Sequence, residues 1–308
     1  PEGLLHPINY IERMIGANYV IPIHADDTTL DIFAEASRAE VVEKPLNALD
    51  IQSRAHTIGL RVSHPVLHTA REQLTLSAGF DVRQSASELL GTGFAFSPGV
   101  EPDGKSKVSV FRFVQDYVGR DNTQVTAGRS TFSVGVGAFG ATDEGKGLPN
   151  GKFVSWLGQF QHARRLGKTD SQLVLRFDAQ LTNKPLLPLE QFSVGGMRTV
   201  RGFRTNQLVR DQGYAASVEL RVPLVRTADG AALLQVAPFI DMGGAWYKGR
   251  ATDAPTRLSS AGVGLRYDPM RGVHAELYYA HTFAGHNVVN PSRSLQDRGF
   301  HLMVRADF

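Results

Sequence analysis

The residues best placed to do chemistry lie in one stretch, Glu190-Gln191-Phe192-Ser193-Val194-Gly195-Gly196-Met197-Arg198-Thr199-Val200-Arg201-Gly202-Phe203. Arg201 is a permanent, planar cation whose fork of N–H donors suits bidentate contact with a carboxylate. Gly202 leaves the next stretch of backbone bare, and Phe203 adds an aromatic ring. Gly195-Gly196 permits backbone angles that other residues resist. An arginine and an aromatic side by side in a loop require an enclosed place to sit, so the chemistry on offer is recognition and ion pairing. Nothing accompanies it that would make or break bonds. No serine occupies a G-x-S-x-G elbow, and the ten histidines form no HExxH spacing. His64 and His68 flank Pro65 at the end of an extended segment, which argues against a shared metal. Gly135-Val136-Gly137 and Gly243-Gly244 lack the strand–loop–helix context of a phosphate cradle, and close packing against a crowded neighbour accounts for them better. With no cysteine there is no disulfide, thiolate metal site or cysteine nucleophile. The sequence points away from an enzyme and indicates neither metal nor cofactor. A net charge of +3 is too small to indicate nucleic acid.

The elements that must position this stretch show alternation with period two. Leu74, Leu76, Ala78, Phe80 and Val82 share one face of a segment whose other face carries Asp81 and Arg83. Leu173, Leu175, Phe177, Ala179 and Leu181 oppose Gln172, Arg176, Asp178 and Gln180. Tyr214, Ala216, Val218, Leu220 and Val222 oppose Ser217, Glu219 and Arg221. Phe300, Leu302, Val304, Ala306 and Phe308 oppose His301, Arg305 and Asp307. Successive side chains of a strand point to opposite faces, so each segment reads as a strand that is apolar on one side and polar on the other.

Strands are expected at 10–22, 28–38, 53–66, 72–84, 107–117, 124–137, 152–163, 171–182, 213–224, 232–243, 258–268, 273–283 and 298–308, about thirteen in all. They are long, about 10–14 residues against a usual 5–6. Strands that cross an outer membrane at a tilt need about 9–11 residues. The links alternate strictly between short and long, the asymmetry of a transmembrane β-barrel with tight periplasmic turns and long external loops. The apolar face would meet lipid and the polar face a water-filled interior. No apolar run approaches the ~18 residues of a membrane-spanning helix.

The stretch Gln191–Gly196 followed by Thr199-Val200-Arg201-Gly202-Phe203 resembles the hallmark loop of two-partner secretion transporters (TpsB proteins, the FhaC/ShlB-like group), which share a superfamily with the barrel-assembly proteins. Asp211-Gln212-Gly213-Tyr214 through Glu219-Leu220-Arg221-Val222-Pro223-Leu224 resembles the family's next strand, and Pro238-Phe239-Ile240-Asp241-Met242-Gly243 the one after it. The resemblance implies a sixteen-stranded barrel, an even number as single-chain barrels have. Its loop, at about 183–212 here, folds back into the pore and is followed by five strands. The resemblance also implies that Arg201 pairs with Asp241 on the inner wall. Gly195, Gly196, Thr199, Val200, Gly202 and Phe203 would shape the loop, and Glu219 and Arg221 would be inward charges near the pair. Two readings of the loop stand side by side: a static plug, or a lock that rearranges as a substrate passes. A terminal aromatic on the last strand, Phe308 here, is read in such proteins either as a signal to the barrel-assembly machinery or as part of an aromatic girdle.

By this resemblance the chain is the C-terminal part of a transporter. Its periplasmic POTRA domains and signal peptide are absent from residues 1–308, and the first three strands are missing. The implied function is secretion of a large partner exoprotein such as a hemolysin or adhesin, with activation of that partner as a further family activity. The implied place is the bacterial outer membrane, with lipid, the exported protein and the assembly machinery as partners and the chain a monomer. The alternative is an assembly factor of the same superfamily that inserts other barrels. A passive porin would have no need of the Arg201-Gly202-Phe203 loop.

Overall fold

The computed structural model describes residues 10–41, 46–145, 147–252, 256–284 and 295–307; Phe308 lies outside them. The strands, in chain order, are β1 (Tyr10–Pro22), β2 (Thr29–Val41), β3 (Gln52–His68), β4 (Glu72–Leu89), β5 (Thr92–Gly93), β6 (Lys105–Arg120), β7 (Gln124–Val136), β8 (Val154–Leu166), β9 (Ser171–Thr182), β10 (Phe192–Val194), β11 (Leu208–Arg210), β12 (Gln212–Arg226), β13 (Ala232–Trp246), β14 (Arg257–Met270), β15 (Val273–Ala284) and β16 (Phe300–Ala306). Thirteen of them, all but β5, β10 and β11, follow one another through a single sheet in chain order. Each is antiparallel to the next. This is the up-and-down order of a barrel wall, with the strand count expected from the sequence. Among the described residues β1 and β16 each pair on one side only, so the wall does not close.

Alternation sets the two faces. In β6, Phe111 and Phe113 point outward and are about half exposed, while Arg112 between them points inward and bonds to Asp81. In β13, Ile240 and Met242 point outward and Asp241 is buried. Phe132, Phe160, Phe177, Val218 and Val263 continue an exposed apolar band from strand to strand. A band of that extent matches the outward face expected of a membrane barrel.

The short links run 23–28, 69–71, 121–123, 167–170, 227–231 and 271–272, and the long ones fall between them. The end of the sheet that carries the short links is built for tight reversal. Asp121 accepts the backbone N–H of Thr123 at 2.7 Å and of Gln124 at 3.0 Å, closing the β6–β7 turn. The Thr123 N–H holds that carboxyl below the usual aspartate range.

Three features differ from expectation. β3 runs past its expected end at 66 to His68, and the register shifts between Pro65 and Leu67; proline has no N–H for the ladder, so the strand bulges there and pairing resumes. β4 extends to Leu89, past the end of its alternation, because β6 pairs with it as far as Ala86, β3 as far as Glu88, and the short β5 with Glu88 and Leu89. The expected water-filled interior is packed wherever the segment 183–211 lies. Phe192, Val194, Val200, Phe203 and Leu208 of that segment are buried with Ala245 and Leu258 of the wall. Leu186 and Leu187 are buried with Val108, Val110 and Phe153. The hydrophobic core of the protein is therefore the contact between an inserted loop and the inner wall.

Ile240 is 60 % exposed on the outer face of β13. Ile240→Arg should destabilise the barrel by about 2–4 kcal/mol in a urea titration of the protein folded into lipid vesicles. Gln159→Lys, on the inner face beside Phe160, should have a far milder effect.

Candidate functional site

The loop between β9 and β12 enters the sheet's concave side as a small hairpin, β10 pairing with β11 through Phe192↔Arg210 and Val194↔Leu208. Its tip is a tight turn. Gly195 N–H donates to Thr199 Oγ1 at 2.8 Å, and Gly196 N–H donates to the Val200 carbonyl at 3.1 Å. Gly195 and Gly196 both have positive φ, 114° and 93°, which the sequence Gly-Gly supplies at little cost. This turn aims Val200 and Phe203 into the apolar cluster and Arg201 at the wall.

Arg201 is 2 % exposed and held by Asp241 and Glu219, each 1 % exposed. Its Nε donates to Asp241 Oδ2 at 2.8 Å and its Nη2 to Asp241 Oδ1 at 2.9 Å, a bidentate fork. Its Nη1 donates to Glu219 Oε2. Nη2 also donates to Ser217 Oγ at 3.1 Å, and the Arg201 backbone N–H donates to Asp241 Oδ2 at 3.0 Å. Ser260 Oγ donates to the Arg201 carbonyl at 2.5 Å. Arg221 Nε donates to the second oxygen of Glu219 at 2.7 Å, so two arginines balance two carboxylates. The guanidinium also lies 3.5 Å from the Phe239 ring centroid and 4.6 Å from that of Tyr278. A cation stripped of water gains from such ring faces, by about 2 kcal/mol or more.

The wall is cut to admit this tip. A side chain at Gly243 would meet Val194 Cγ1 at 2.7 Å. Gly202 has φ of +90°, and its N–H donates to His301 Nε2 at 2.8 Å. His301 accepts there, so the ring proton is on Nδ1 and the imidazole is neutral. Arg204 forks onto Asp297 with both contacts at 2.5 Å, and Thr205 N–H donates to Gln296 Oε1 at 3.1 Å. Both partners lie in the turn that leads into β16.

Arg201 and Asp241, the pair implied by resemblance, are thus in direct contact. Glu219 is a ligand of Arg201 itself and is sealed from the lumen, where the sequence placed it among charges near the pair. Arg221 touches Glu219 and not Arg201. Thr199 and Gly195 bond to each other, and Val200 and Phe203 fill the cluster. The sequence left Ser217, Ser260, Tyr278, His301 and Asp297 out of the site, and it gave Glu190, at the head of the loop stretch, no role there. The first four sit on inward positions of strands whose alternation is visible, but alternation does not say which inward residue meets the loop. Among the described residues no cluster of His, Asp and Glu is arranged to hold a metal ion.

A family model described as haemolysin secretion/activation protein ShlB/FhaC/HecB matches residues 9–267. Among solved structures, CdiB from Escherichia coli superposes with a TM-score of 0.71 at 20% identity, over 96% of this chain and 52% of that one. CdiB from Acinetobacter baumannii gives 0.68 at 15%, over 96% and 49%. BamA from Haemophilus ducreyi lacking POTRA domains 1-3 gives 0.66 at 13%, over 96% and 62%. At these identities the likeness is one of fold. The chain spans about half the length of the two CdiB structures. No match is found among curated proteins.

Gly202→Ala would place a β-carbon 2.9 Å from Ala280 Cβ and 3.1 Å from Thr282 Cγ2, at a positive φ. We expect a strain of about 1–3 kcal/mol. It should appear as faster proteolysis within 195–204 while the barrel keeps its heat-dependent gel migration.

Proposed function

The chain belongs to the ShlB/FhaC/HecB family of haemolysin secretion/activation proteins, outer-membrane β-barrels of bacteria, and on that premise we propose that it forms the pore through which a large partner exoprotein leaves the cell. The exported protein would be of the hemolysin or adhesin type, and release would require the inserted loop to leave its seat or shift within it. The observation that carries this reading is the burial of Arg201 between Asp241 and Glu219.

A buried ion pair is a poor way to gain stability, because the cost of stripping water from the charges roughly cancels their attraction. An apolar tip of equal volume would hold a permanent plug as well or better. What charge adds is register: the fork accepts one loop position and rejects its neighbours. An ionic seat also gives up less to water on opening than an apolar one would, since both partners regain hydration. That suits a loop that must be definite when closed and still able to open. The inward face supports the same reading. Passage of an extended chain needs polar walls, and Arg61, Gln159 and Arg176 offer them on inward positions of β3, β8 and β9.

Arg201→Ala leaves Asp241 buried without its cation and Glu219 with Arg221 alone, a loss of about 3–5 kcal/mol from the seated state. Secretion of the partner should fall at least about tenfold while the barrel remains folded in the membrane. Arg201→Lys should behave nearly as badly, because an ammonium can neither fork onto Asp241 nor stack on Phe239. Asp241→Asn should reproduce the Ala phenotype. Normal secretion by all three variants would defeat the reading.

A further inference from the structure

We propose that Glu190 is a second, independent positioning residue, which anchors the root of the inserted loop to the wall on the side away from Arg201. Glu190 sits at the end of a short turn, Pro188–Glu190, where the loop crosses the lumen between β9 and the hairpin. It is 9 % exposed, and its carboxylate meets two arginines. Arg83 Nη1 donates to Glu190 Oε1 at 3.0 Å and also to the Leu189 carbonyl at 2.9 Å. Arg112 Nη2 donates to Glu190 Oε1 at 2.8 Å, and its Nη1 donates to Oε2 at 3.2 Å. Arg112 is itself forked onto Asp81, at 2.7 and 3.1 Å, and donates to Ser133 at 2.9 Å. The acceptor therefore comes from the loop, and the donors come from β4 and β6.

The placement of the two anchors gives the arrangement its meaning. Arg201 binds β12 and β13, and its neighbour Gly202 binds β16. Glu190 binds β4 and β6, earlier in the sheet than either strand flanking the loop. The loop thus reaches both ways from its own roots and straps together two sectors of wall that do not pair with each other. Each anchor has its own apolar cluster, with Leu186 and Leu187 beside Glu190 and Val200 and Phe203 beside Arg201. Two anchors with separate clusters allow the tip to release while the root stays seated. The inference deepens the export reading, because it makes the tip the moving part and the root its hinge.

Residues 1–308 contain no cysteine, so among them one introduced thiol reports alone. Leu187→Cys reports on the root and Val200→Cys on the tip, both fully buried positions. The intact protein in outer-membrane vesicles is treated with a water-soluble maleimide, and folding is checked by heat-dependent migration. Glu190→Gln should raise the labelling rate at position 187 about tenfold or more, as expected for lost charged hydrogen bonds, and leave position 200 within about twofold of the parent. Arg201→Ala should do the reverse. Glu190→Asp, which keeps the carboxylate, should restore part of the protection at 187. Protection at 187 unchanged by Glu190→Gln, or both positions opening together, overturns the proposal. Should Glu190→Gln fail to reach the membrane, Arg83→Gln decides the matter, because Arg112 still holds Glu190: increased labelling at 187 supports the anchor and unchanged labelling overturns it. Labelling does not depend on export, so a protein that exports nothing yet opens only at its root keeps the anchor and loses the export reading.

Discussion

The structure depends on where one guanidinium can shed its water. A permanent charge inside a protein must be met by opposite charge and by hydrogen bonds in nearly every direction its donors point, or the state that buries it does not form. Asp241, Glu219 and Ser217 meet those needs for Arg201 from two adjacent strands. Their spacing requires β12 and β13 to pair in the register that sets Ser217 opposite Asp241. A slip of one residue on either strand would turn one of the ligands toward lipid. The loop seat and the wall register are therefore one constraint seen from two sides.

Space at the seat is made by subtraction. Gly243 lets Val194 and Val200 lie against the backbone of β13. The Tyr278 ring lies over β14 at Gly264, where a β-carbon would stand 2.2 Å from it, and so the ring is free to face the guanidinium. Phe239 meets Tyr278 edge to face at 5.6 Å, giving the cation an aromatic corner. The polar inner face expected for a barrel is in this sector a socket, part ionic and part apolar, shaped to a hairpin of the same chain. Glu190 and Asp211 show the same logic at the other leg. Asp211 accepts the N–H of Leu186 and of Lys248 and so fixes the entrance of the loop to its exit.

Much of this was legible in the sequence, and for identifiable reasons. The thirteen strands were visible because a wall one residue thick between lipid and a polar interior imposes period two on every crossing. Phe111-Arg112-Phe113 shows that pattern in three letters. Where the pattern lapses the reading faltered. Gln84-Ser85-Ala86-Ser87 is polar on both faces, and so the full length of β4 was not evident. Pro65 stands near the expected end of β3 because proline lacks a donor, yet a bulge absorbs it. The pairing of Arg201 with Asp241 came from resemblance and not from spacing, since a separation of forty positions along the chain carries no geometric information.

The sequence by itself determined the strand pattern, the two faces and the presence of a loop with a cation to bury, because each is a local consequence of backbone periodicity and side-chain polarity. Only the tertiary structure decided which inward groups meet that loop. Glu219 and Arg221 look alike in a strand pattern, yet Glu219 binds Arg201 and Arg221 supports it from behind. Glu190, Arg83 and Arg112 lie about a hundred residues apart at the extremes and become one site only when the sheet curls. Alternation fixes which face a residue takes; curvature and loop closure fix its neighbours, and those depend on the whole chain at once.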